Sequence, residues 1–165
     1  MQFLNPQIVI PHFDIAEGMH VADFGSGAGF FTHLLAEKVG PYGIVYAVDN
    51  NHDLILKVIN EGKAKGVGHI KGIKADLSSN SDTLSPQSVD RVILANTFSG
   101  TEDKSTLLSH AYNFLKPGGK IIMIDLKGHE ISQDQASSIV GCAGFVREKE
   151  FNAGDYHYGM VFKKM

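Results

Sequence analysis

Short apolar runs alternate with segments of helical period along the whole of this 165-residue chain. Strands and crossover helices repeated in that order bury their apolar stripes together only in a parallel sheet covered on both faces. The first strand is expected at His20-Val21-Ala22-Asp23-Phe24, followed by a helix from Phe30 to Val39 that Gly40-Pro41 closes. Gly43 to Val48 reads as strand two, His52 to Lys65 as a helix with Leu54, Ile55, Val58 and Ile59 on one side, and His69 to Ala75 as strand three. Ser78 to Ser88 is polar, contains Pro86 and is expected to hold at most a turn of helix. Val89 to Ala95 is strand four. Thr101 then caps a helix through about Leu115, which Lys116-Pro117-Gly118-Gly119 ends. Lys120 to Leu126 is strand five, and Ser132 with Gln135 has capping-box spacing for a last helix. Phe145 to Phe151 and Tyr156 to Phe162 leave no room for a helix between them, so they form an antiparallel hairpin. The expected architecture is one α/β domain over residues 1–165, a doubly wound sheet of about seven strands. It is mostly parallel, with an antiparallel C-terminal hairpin.

Composition removes several classes of function. The formal charge of −3, from 15 basic and 18 acidic residues, offers no global field for nucleic acid. The one dense group of lysines, Lys57, Lys63, Lys65, Lys71 and Lys74, is interspersed with Gly and Glu61 and reads as a solvated face. A single cysteine, Cys142, excludes an intrachain disulfide, and no Cys/His spacing suits a metal. No apolar run reaches the ~18 residues of a membrane span. Met1 to Pro6 lacks the basic and small-residue pattern of a signal peptide, so a cytoplasmic location is expected.

The chemistry concentrates where the first strand ends. Asp23-Phe24-Gly25-Ser26-Gly27-Ala28-Gly29 places glycines at alternate positions, where a backbone can turn tightly and a ligand can touch main chain. The following helix offers unpaired N–H groups and a positive dipole end. A dinucleotide fingerprint would need its third glycine at position 30, which is Phe30. Asp23 is a poor neighbour for a pyrophosphate and a good acceptor for an ammonium group, so a nicotinamide-dependent oxidoreductase is disfavoured. Asp49 stands 20 residues after Gly29, at the end of strand two, where an acidic side chain can accept both hydroxyls of a ribose. Asp49-Asn50-Asn51 is equally good helix N-cap material. Asp76 and Leu77 end strand three, placed to read an adenine amino group and ring edge, or to form a turn with Ser78 and Ser79. Asn96 follows strand four at the carboxyl edge, where polar side chains face the ligand crevice.

In order and spacing these residues resemble the class I S-adenosylmethionine-dependent methyltransferases. Asp23-x-Gly25-x-Gly27-x-Gly29 is similar to their first motif, Asp49 to their ribose-binding acid and Asp76 to their adenine contact. Ser85 to Asp90 resembles the segment that leads into strand four, and Leu115 to Lys120 the turn before strand five. The resemblance runs from about Gly18 to Asp125 and is nearest to the small-molecule branch of ubiquinone/menaquinone (UbiE-like) and arsenite methyltransferases. It implies a Rossmann-like sheet of order 3-2-1-4-5-7-6 and S-adenosylmethionine as cofactor. It also implies a cofactor site built from Asp23, Gly25, Ser26, Gly27, Gly29, Asp49, Asn50, Asp76, Leu77 and Asn96.

Methyl transfer from a sulfonium needs alignment and water exclusion more than a base, so the sequence names no catalytic residue. Asn96-Thr97-Phe98 lacks the prolines of nucleobase amino-methyltransferases, and Cys142 does not follow a proline as a cytosine-C5 nucleophile would. The first lysine is Lys38, later than ribose 2′-O enzymes require, and arsenite chemistry needs several cysteines. By elimination the acceptor is a small molecule, with a protein side chain second and nucleic acid last. Cys142 reads as a small buried apolar residue, His33 as a polar surface residue, and Tyr156 and Tyr158 as strand residues packing the sheet. His12, Lys127 and His129 border the crevice or are solvated. Residues 1–17 form a short apolar segment, a lid or an edge strip, which leaves the site open. That openness suits a homodimer that completes the pocket. It also suits the alternative of a non-catalytic cofactor-binding or interaction module.

Overall fold

The computed structural model describes residues 1, 3–79 and 83–165. Residues 80–82, within the polar stretch expected between strands three and four, lie outside the described residues, and those on either side form no helix. Seven strands form one sheet in the order β3-β2-β1-β4-β5-β7-β6, as the resemblance implies. They are β1 His20–Phe24, β2 Ile44–Asp49, β3 Ile70–Lys74, β4 Val89–Ala95, β5 Leu115–Leu126, β6 Phe145–Asn152 and β7 His157–Lys164. β1 pairs in parallel with both β2 and β4, while β7 lies antiparallel between β5 and β6.

Strand parity divides the core. Ala22, Phe24, Val92, Leu94, Ile121 and Met123 face one side, and Val21, Val45, Ile93, Ile122 and Ile124 the other. The first side is covered by α4 Lys104–Phe114 and α5 Gln133–Cys142, the second by α2 Thr32–Val39 and α3 His52–Ala64. The N-terminal α1 Pro6–Val9 and a 3-10 turn at Ile10–Phe13 join the second side. Phe13 packs its ring 5.9 Å from Phe31 and 6.1 Å from Phe151. Met1, Phe3 and Ile8 remain exposed beside Phe30, around a cavity of about 500 Å³.

Several expectations need correction. The helix after β1, α2, starts at Thr32 rather than Phe30, because residues 27–31 are turn and Phe30 is 60% exposed. α4 is capped by Asp103, which accepts from the Thr106 N–H, whereas the Thr101 hydroxyl donates to Thr97 O. Leu115 to Gly119 belong to β5. Val89 pairs with Leu115 and Arg91 with Lys120, so Pro117 and Gly118 arch out of the ladder. Cys142 is exposed, because the buried stripe of α5 runs through Ala136 and Val140 and Cys142 points away from it. His33 is largely buried, with its Nε2 3.2 Å from Glu61 Oε2, which ties α2 to α3. Tyr156 lies outside the strand and stacks on Phe3, while Tyr158 packs in the core.

Arg91 is a buried cation that anchors the N-terminal segment. Its guanidinium donates to Phe13 O at 3.0 Å, Asp14 O at 2.8 Å and Asp90 O at 2.9 Å. Replacing it leaves those carbonyls without donors. Arg91→Met is expected to lower stability by about 2–4 kcal/mol in urea unfolding. Limited proteolysis should then cut first near residues 14–18. Arg91→Lys should recover little, since one ammonium cannot reproduce the planar fork.

Candidate functional site

The carboxyl ends of β1, β2, β3 and β4 form one edge, and the glycine turn after β1 folds over it. Gly25 and Ser26 donate their N–H groups to Val48 O at 2.8 and 3.0 Å. Asp49 bridges outward: Oδ2 accepts from the Gly27 N–H at 2.9 Å and Oδ1 from the Asn51 N–H at 2.9 Å. Asn51, and not Asp49 or Asn50, is the N-cap of α3. On the other flank Thr97 Oγ1 lies 2.8 Å from Phe24 O. A Cβ on Gly25 would stand 2.5 Å from that hydroxyl oxygen, so a side chain there would displace Thr97. At Gly27, φ is +53° and, apart from its own chain neighbours, no atom of a described residue lies within 4 Å of where a Cβ would be. The turn leaves open space above its own backbone there.

Two clefts meet at Gly25. One of about 410 Å³ is lined by Asp49, Asn50, Asp76 and Leu77, with Thr97 and Glu102 opposite. The other, of about 170 Å³, is lined by Asp23, Ser26, Gly27, Phe30 and Asn96. Nine of the ten residues expected from sequence therefore border one cleft or the other. Gly29 borders neither; a Cβ there would press on Val58 and His33, which makes it a packing position between the turn and α3. Asp76 is exposed and its Oδ1 accepts from the Ser78 N–H at 2.9 Å, which closes a turn with Ser78. Leu77 is buried beside it.

Sequence reasoning missed the far wall. Beyond Thr97, which belongs to the strand-four end expected to face the crevice, Gly100, Thr101 and Glu102 line the larger cleft from the loop after β4. Asp125, buried at the end of β5, holds that loop by accepting from the Ser99 N–H at 2.9 Å and the Ser99 hydroxyl at 2.7 Å. The polar run from Asn96 to Glu102 was the available signal. His12 stacks on Phe151 at 4.7 Å, His129 is exposed, and Lys127 donates to Gly154 O at 3.1 Å beside a separate cavity that His157 also lines. Among the described residues no group of His, Cys, Asp and Glu side chains is arranged to hold a metal ion.

Asp23 carries the unusual electrostatics. It is 2% exposed, and burial raises its pKa from an ordinary 3.8 to about 6. The Thr32 hydroxyl, donating at 2.7 Å, opposes that rise, and the Asp49 charge adds to it. The folded state thus holds this proton more tightly than the unfolded chain does. Its contribution to stability falls as pH rises from about 4 to about 6 and then levels off. Asp23→Asn keeps an acceptor for Thr32 without the charge. Relative to wild type it should gain up to about 3 kcal/mol in urea unfolding between pH 4 and pH 7.

The family model described as a methyltransferase domain matches residues 15–153. An arsenite methyltransferase of Halobacterium salinarum is 31% identical over 115 residues, covering 68% of this chain and 28% of that protein. The UbiE ubiquinone/menaquinone biosynthesis C-methyltransferase of Legionella pneumophila is 26% identical over 115 residues, 67% of this chain and 44% of its own length. The chain spans less than half of either curated relative. The crystal structure of a SAM-dependent methyltransferase from Aquifex aeolicus superimposes with a TM-score of 0.90 at 25% identity, covering 99% of this chain and 91% of that one. With the family match extending over most of its length and the sheet order above, the chain belongs to the methyltransferase domain family.

Proposed function

We propose that this chain binds S-adenosylmethionine across the two clefts that meet at Gly25 and transfers its methyl group to a small-molecule acceptor. The observation that carries the reading is the division of labour between the clefts. The smaller one holds a buried carboxylate, Asp23, for an ammonium group. It also holds Ser26, 7% exposed, whose hydroxyl has no hydrogen-bond partner among the described residues. An unpaired hydroxyl and a buried carboxylate in one small space suit the zwitterionic end of an amino acid, with one carboxylate oxygen already held by the Thr32 hydroxyl. The larger cleft offers Asp49 and Asp76 for hydroxyl and amino donors and Leu77 for a flat apolar ring. Gly25 borders both clefts, and the open space above Gly27 offers a ligand bare backbone in the smaller one. Asp23, Gly25, Ser26, Gly27, Asp49, Asn50, Asp76, Leu77 and Asn96 are therefore the residues assigned to the cofactor, with Gly29 supporting the turn.

Once bound, the cofactor supplies an electrophilic methyl on a sulfonium, so the protein's work is to align the acceptor and exclude water. Residues 3–17 fit this as a partial cover: Arg91 pins their C-terminal end while Phe3 and Ile8 stand beside Phe30 at the rim. The arsenite acceptor named for one relative is disfavoured by the single cysteine of this chain. A small acceptor ranks ahead of a protein side chain, in a cytoplasmic enzyme whose pocket a second copy would close.

Calorimetry with S-adenosylhomocysteine tests the site. Wild type is expected to bind at micromolar Kd, Asp76→Ala several-fold and Asp49→Ala at least about tenfold more weakly (about 1.4 kcal/mol). Asp49→Ala should lose more because it also frees the Gly27 N–H. NADH should not bind. Folded wild type that binds no S-adenosylhomocysteine would overturn the reading.

A further inference from the structure

Asn96, which lines the smaller cleft, is held by a residue 61 positions away in sequence. It follows β4 with φ +55°, a left-handed conformation that Asn tolerates better than most side chains, and its N–H donates to Ile124 O at 2.8 Å. Its side chain is exposed, and an exposed carboxamide at a strand end would ordinarily sample several rotamers. Here Oδ1 lies 3.0 Å from Nε2 of His157, the first residue of β7. An amide oxygen only accepts, so Nε2 carries the hydrogen and Nδ1 is a bare lone pair. Nδ1 is buried without a partner among the described residues, which suits a lone pair far better than an N–H. Burial also lowers the His157 pKa, with Lys127 adding and Asp125 opposing, so the ring stays neutral near pH 7.

We propose that His157 is a positioning residue: by donating Nε2–H to Asn96 Oδ1 it turns the Asn96 amide nitrogen toward the glycine-turn cleft, pre-set to bond the amino-acid end of the cofactor. This rests on the cofactor reading of that cleft. The amide has two ends; with the oxygen engaged by His157, its two N–H donors are left for a ligand carboxylate or carbonyl. Together with the unpaired Ser26 hydroxyl they complete a donor set opposite Asp23. Antiparallel pairing makes this reach feasible, because His157 stands opposite Leu126 at the same carboxyl edge where β4 ends. On its other side His157 lines a cavity of about 380 Å³ with Lys127, Asn152 and Tyr158, so the Asn96–His157 pair is the wall between that space and the cofactor cleft. Fixing the rotamer before binding removes an entropic cost that a free carboxamide would meet on engaging the ligand.

The test is calorimetric binding of S-adenosylhomocysteine to wild type, His157→Leu, His157→Gln, Asn96→Gly and the His157→Leu/Asn96→Gly double variant. Glycine is chosen at 96 because it adopts φ +55° without strain. His157→Leu and Asn96→Gly should each weaken binding about five- to tenfold. The double variant should be no worse than the weaker single within twofold, because both break one unit. Gln, which can also donate to Asn96, should restore binding to within about threefold of wild type. Long-range proton–nitrogen spectra of the free protein should show His157 as the Nε2–H tautomer. If His157→Leu binds within twofold of wild type, if the single losses multiply in the double variant, or if Nδ1 carries the proton, the positioning role is wrong and the cofactor reading stands. Should the Leu variant fail to fold, His157→Phe, which keeps a ring and removes the donor, takes its place in the same cycle with Asn96→Gly and gives the same decision. Folded wild type that does not bind would sink the cofactor reading and this role with it.

Discussion

The carboxylate of Asp49 is the joint on which the site depends. It accepts one N–H from the turn after β1 and another from the entrance to α3, so a single side chain fixes a loop and a helix start to the end of β2. Beneath it, Val48 O receives the Gly25 and Ser26 N–H groups. Both depend on the parallel register that sets Phe24 beside Val48. The glycine turn needs this bracing because its backbone is costly to order, and without outside partners its N–H groups would go to water. Braced, it presents open main chain at Gly27 and an unspent hydroxyl at Ser26.

The same edge stores a tension between stability and ligand chemistry. Asp23 shares strand parity with Val21, which sends its carboxylate under α2 to meet the Thr32 hydroxyl. A carboxylate there is out of water and close to a second acid, Asp49, and its pKa of about 6 records the strain. A folded protein with no need of that charge would be better served by an amide. A cationic ligand group of the kind proposed for this cleft would relieve that burden.

The opposite flank is built by long-range contacts. Asp125 holds the loop after β4 through Ser99, and His157 holds Asn96 from an antiparallel strand. Both lie at the ends of strands that meet only once the sheet is assembled. Arg91 plays the corresponding part at the other end of β4, where its fork gathers two carbonyls of the N-terminal segment onto the sheet.

Much of the fold could be read along the chain. Apolar runs at His20–Phe24 and Val89–Ala95 coincide with β1 and β4, and the Ser132/Gln135 capping box forms as its spacing requires. The hairpin follows from the short gap between β6 and β7. These are local matters, governed by side-chain period, caps and turn chemistry within a few residues. Element edges moved where a tertiary bond outbid the local signal: Asp103 took the α4 cap while Thr101 turned to Thr97 O. His33 and Cys142 were misjudged because exposure on a short helix depends on which neighbour covers it. Glu61 of α3 meets His33, whereas Cys142 is left exposed among the described residues. The candidate site divides the same way. Asp23, the alternating glycines, Asp49 and Asp76 follow strands in a fixed rhythm, so the sequence by itself determined which strand ends carry polar groups and in what order. Which of those groups stay free for a ligand was decided only in the tertiary structure. Hydrogen bonds between residues tens of positions apart exist only after the sheet brings them to one edge.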